Sequence, residues 1–112
     1  MPDPALPRPA VDPEALDAAV DVLADRLRRL PESALRRGAA ADGLAVAREL
    51  ARRAQRLERP AEEPRELPEA GVFAVGDQVA VAGHDLAQAL RANPAVSRGE
   101  LTGVLELIRG AG

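Results

Sequence analysis

Residues 72–90, VFAVGDQVAVAGHDLAQAL, hold the chain's single phenylalanine, Phe73, and its single histidine, His84. Two structures compete for this stretch. VFAV and QVAVA flank a Gly76–Asp77 pair of the kind that closes a tight hairpin. Against the hairpin, Val72, Val75, Val79, Ala82, Leu86 and Ala89 recur at alternating spacings of three and four straight through the supposed turn, which is the period of one helical face. A lone hairpin also needs further strands for stability, and no other segment offers one. The spacing therefore predicts one helix over about 74–92, and with it an all-helical protein.

That assignment sorts the remaining side chains of the segment. Gly76, Ala80, Gly83 and Ala87 form a stripe of small residues. A glycine inside an exposed helix costs about 1 kcal/mol relative to alanine, so the stripe is expected to serve close packing of a neighbouring helix. Asp77, Val81, His84, Gln88 and Arg91 share the outward face. His84 is expected there as a solvated side chain, lacking the converging ligands that a zinc site requires.

Working outward, Asp12–Pro13 is a helix start, with a capping acceptor followed by a residue of preset φ. Leu16, Val20, Leu23, Leu27 and Leu30 then draw one apolar seam ending before Pro31. PESALRRG at 31–38 reads as a short connecting helix closed by Gly38, and ADG at 41–43 as the lead into a second long helix. In that helix Leu44, Ala47, Ala51 and Ala54 form one stripe and Val46, Leu50 and Leu57 the next, with Pro60 as the stop. Residues 60–70, PAEEPRELPEA, read as an acidic, proline-interrupted linker. After a break at Asn93–Pro94, SRGE at 97–100 matches a capping box, with Ser97 and Glu100 as the reciprocal pair. A short final helix follows through Leu101, Val104, Leu105 and Ile108 to Gly110. The expectation is an all-α bundle of four principal helices plus one short connecting helix over 12–112. Prolines at 2, 4, 7 and 9 mark residues 1–11 as a disordered tail.

A chain of 112 residues suits one domain, and with no Trp or Tyr its core must be aliphatic. All fifteen basic residues are Arg, which fits the coding bias of a GC-rich bacterial genome, so the choice of Arg over Lys carries no binding information. There is no Cys, hence no disulfide framework and no thiol chemistry. No stretch resembles a secretion signal or the ~18 apolar residues of a membrane span, so a cytoplasmic location with no membrane partner is expected.

Charge is segregated: residues 1–25 carry a net −5, residues 26–59 a net +6 and residues 60–112 a net −4. The simplest account is internal pairing, with Asp17, Asp21 and Asp25 of an antiparallel first helix lying along the Arg-rich second. Acids early and Arg26, Arg28 and Arg29 late in the first helix also complement its dipole. As a binding surface, Arg48, Arg52, Arg53, Arg56 and Arg59 form a row that could follow an anion or an acidic partner. Single-strand binding normally adds aromatic stacking platforms, which Phe73 alone does not supply. Residues 85–108 have a helix-turn-helix cadence in which Arg98 and Thr102 would be the DNA-facing side chains, although the region is acidic. Ser33, Ser97 and Thr102 are the only hydroxyl side chains and none has an evident base, so no catalytic residue, cofactor or metal is assigned. The functional expectation is a non-catalytic helical protein acting by contact with another protein or with itself, as a homodimer. A nucleic-acid-binding regulator is the alternative.

Overall fold

Asp12 begins the first helix as its chemistry requires: the carboxylate accepts from the Ala15 N–H at 2.9 Å while Pro13 occupies the first helical position. The computed structural model describes residues 12–111, with the backbone only at 96–98; the expected tail at 1–11 lies outside the described residues. Helix α1 spans Pro13–Arg29 and the short α2 Glu32–Ala34, which runs on through a wide turn at Leu35–Ala39. Helix α3 spans Ala40–Glu58, α4 Val75–Arg91 and α5 Pro94–Gly110. A single 3₁₀ turn, Val72–Ala74, leads into α4. Among the described residues the protein is all-α with four long helices, and the hairpin alternative at Gly76–Asp77 is excluded.

Helix α4 is the middle of the assembly, packed against α1 on one side and α3 on the other, while α5 lies mainly across α1. The core is aliphatic throughout, with Leu16 and Val20 of α1, Leu50 of α3, Leu86 and Leu90 of α4, and Leu101 of α5 fully buried. Without aromatic rings to fill space, the helices close on one another's backbones. A Cβ built on Gly83 would stand 2.3 Å from Val20 Cγ2, and one on Gly76 would stand 3.0 Å from the Ala24 carbonyl oxygen, both on α1. Ala87 is buried and Ala80 half-buried in the same stripe.

Two boundaries differ from the sequence reading. Helix α3 starts at Ala40 and Gly43 lies inside it, because Gly43 is a packing position: Val75 Cγ2 and Leu27 Cδ1 would come within 2.9 and 3.0 Å of a Cβ there. The reversal before α3 falls at Gly38, where the sequence closed the connecting helix; its φ of 146° is a conformation that side-chain-bearing residues rarely adopt. Helix α5 starts at Pro94, so residue 97 is helix interior rather than the helix start read from the SRGE spacing, and Glu100 reaches Arg53 at 3.3 Å. Residues 60–70 are also more than a solvated linker. Gln55 exchanges two hydrogen bonds with the Arg65 backbone (2.8 and 2.9 Å), and Arg48 and Gln78 donate to the carbonyls of Leu67 and Pro68. Leu67 thereby packs on the core as an extended arm.

The contrast between two glycines tests the close-packing account. Gly83→Leu must displace Val20, and overpacking of about 1–3 kcal/mol lowers the melting temperature by roughly 5–15 °C in a domain of this size. Gly99, exposed on α5 with nothing within 4 Å of a Cβ, should instead gain about 0.5–1 kcal/mol on Gly99→Ala. Thermal unfolding by circular dichroism reads both; equal effects would refute the account.

Candidate functional site

The arginine row on α3 is committed to partners within the chain. Arg52 and Arg53 share Glu49 at 2.6 and 2.9 Å, Arg53 also reaches Glu100, Arg48 holds the arm through Glu66 at 3.3 Å, and Arg59 meets Glu62 at 3.6 Å. Burial pushes the Glu49 carboxyl up, but the two guanidinium groups outweigh it and leave the group below its ordinary value. Arg56 is exposed and makes no ion pair with a described residue. The row thus bridges α3 to the arm and to α5.

Internal pairing therefore accounts for much of the charge, but not with the expected partners. The acids of α1 do not run along α3, because α4 lies between them. Arg28 of α1 bonds Asp25 on its own helix at 3.1 Å and Asp77 of α4 at 2.7 Å. Asp17 and Asp21 turn toward the C-terminal half of α4. His84 remains 42 % exposed, but it is not the unpartnered surface side chain expected, since its ring meets two carboxylates of α1. Its Nδ1 lies 2.5 Å from Asp17 Oδ1 and its Nε2 2.9 Å from Asp21 Oδ1, while Arg91 donates to the other oxygen of Asp17 at 2.6 Å. Hydrogen bonding to Asp17 raises the His84 pKa above its ordinary value, with Asp21 assisting and partial burial opposing. At Asp17 burial pushes upward, but Arg91 and His84 together hold the carboxyl below its usual range. The lone histidine looked like a surface residue because its two partners lie more than sixty positions away, where no local pattern registers them.

For the alternative DNA-facing pair, Thr102 is exposed on α5 and the Arg98 side chain lies outside the described residues. The break between α4 and α5 is Ala92 and Asn93, and Asn93 closes it by donating to the Ala89 carbonyl at 2.8 Å.

One apolar opening escaped the sequence reading. Between α1 and α5 runs a groove of about 520 Å³ with Ala15, Ala18, Ala19 and Leu23 along one wall, Ile108 on the other, and Val22 on its rim. Val22 is 71 % exposed. Arg26 and Arg109 border the groove and neither makes an ion pair with a described residue. The signal was present in the spacing: Ala15, Ala18, Ala19 and Val22 form a second apolar stripe at helical period, beside the leucine seam. Comparison of the chain with protein families, with curated proteins and with solved structures gives no match.

The arm offers a check on this electrostatic and hydrogen-bonding scheme. Gln55→Ala removes both side-chain bonds to Arg65, and the Arg65 amide, which donates to Gln55 Oε1, should exchange with solvent about tenfold faster, the equivalent of roughly 1.4 kcal/mol. Unchanged exchange at that amide would show that the arm is held without Gln55, by Leu67 packing and the Arg48 and Gln78 bonds.

Proposed function

We propose that this is a non-catalytic helix-docking protein whose α1–α5 groove receives an amphipathic helix of a partner protein, its apolar stripe flanked by carboxylates. The observation that carries the reading is the combination at the groove: apolar walls built from small residues, an exposed Val22, and two guanidinium groups, Arg26 and Arg109, without described carboxylate partners. Two packed helices with an open seam suit a third helix, whose ridge fills the seam while its acids meet the flanking arginines. Ala15, Ala18 and Ala19 leave room for close backbone approach. The reading extends to a cytoplasmic setting, which the cysteine-free composition supports. Among the described residues no helix is long and apolar enough to cross a membrane. The nucleic-acid alternative is less well supported, since four of the five arginines of the α3 row already meet carboxylates.

A designed helical peptide with a Leu/Ala stripe flanked by Glu, and its twin with Lys at the flanks, provide the probe. The acidic peptide should shift the methyl resonances of Val22 and Ile108, with binding at least tenfold tighter than the Lys twin and weakened by salt. Val22→Glu should abolish it. Equal binding of the two peptides, or no methyl shifts at millimolar peptide, would overturn the proposal. Shifts that follow protein concentration without peptide would make a second copy the occupant, and shifts that follow removal of residues 1–11 would make it the chain's own N-terminal segment.

A further inference from the structure

The contact between His84 and α1 has a stereochemical requirement. A neutral imidazole carries one N–H, yet both ring nitrogens of His84 lie within hydrogen-bonding distance of carboxylate oxygens, at 2.5 and 2.9 Å. A carboxylate accepts and does not donate, so both bonds exist together only when the ring is an imidazolium. The pair of acids flanks Val20, the residue that rests on Gly83, so the ionic contact sits at the closest approach of α1 and α4.

We propose that His84 is a proton-operated clasp between α4 and α1: as imidazolium it holds Asp17 and Asp21 together, and on losing its Nε2 proton to solvent it releases Asp21. The Nδ1 proton stays, because that bond is the shorter and its acceptor, Asp17, is also held by Arg91. The bared Nε2 lone pair then faces a carboxylate, and the contact turns from attraction to repulsion. The charged groups around the ring are Asp17 and Asp21 from α1, with Asp85 adjacent in sequence and Arg91 sharing Asp17 on α4 itself. No described charged group of α3 or α5 contributes to the shift at the ring. The sign follows from the raised pKa. The clasp is complete below the ordinary histidine value of 6.5 and is lost as pH rises through the folded-state midpoint above it. The chain has one histidine and no cysteine, so no other side chain normally titrates between pH 6 and 8. The clasp acts on α1, which also walls the groove, but does not depend on what the groove binds.

Titration of the full chain by NMR of its one imidazole tests the assignment. The midpoint should lie above 6.5 and fall toward it in Asp21→Asn, while Asp85→Asn, which alters a neighbour that makes no bond to the ring, should move it far less. Thermal unfolding supplies a second readout: the melting temperature should drop by a few degrees between pH 6 and pH 8 in the parent chain and stay level in His84→Gln. A midpoint at or below 6.5, equal effects of the two Asp variants, or a pH-dependent melting temperature that survives His84→Gln would each overturn the proposal.

Discussion

Val20 of α1 rests on the bare backbone of Gly83, and the architecture depends on that approach. With one phenylalanine, 68 % exposed, and no other aromatic residue, the protein has no large rings to occupy space between helices. Leucine, valine and alanine reach native packing density only if helix axes come close, and glycine at the crossing permits it. Gly76 serves the same contact two turns lower, and Gly43 repeats the device where Leu27, Val75 and α3 meet. Helix α4 carries two of these positions, which is why it takes the centre, with α1 and α3 on its flanks.

The ionic contacts follow from that arrangement. Exposed ion pairs contribute about 0–1 kcal/mol each, far less than the buried seams, so they do not hold the bundle together. They set details: Arg53 joins α3 to α5, Arg48 and Gln55 position the arm, and Arg28, His84 and Arg91 bridge α1 and α4 at successive levels. An overall charge of −3 thus conceals segregated segments largely neutralised by one another. Arg26 and Arg109 are, among the arginines that make no ion pair with a described residue, the two that border the apolar groove.

Where sequence reasoning held, the signal was local. The apolar period through Gly76 and Asp77 outweighed a plausible turn because a helix face must stay in phase over several turns, while a turn signal spans only two residues. Asp12–Pro13 marked a helix start for the same reason, since cap and first-turn geometry depend on adjacent residues. The failures were local signals overruled from a distance. Ser97 and Glu100 have capping-box spacing, but Pro94 starts the helix a turn earlier and Arg53 claims Glu100. Gly43 resembled a helix boundary, whereas the approach of two other helices is what requires it.

The sequence by itself determined that the chain is helical, where its long helices lie, and that its core is aliphatic, because periodicity and composition act within a few turns of backbone. Only the tertiary structure decided which helix faces which. That choice turns on pairwise fit between surfaces far apart in sequence, and here it set α4 between the acidic and the basic helices. It converted His84 from an outward side chain into the link between two carboxylates of α1, and left the second stripe of α1 open beside α5.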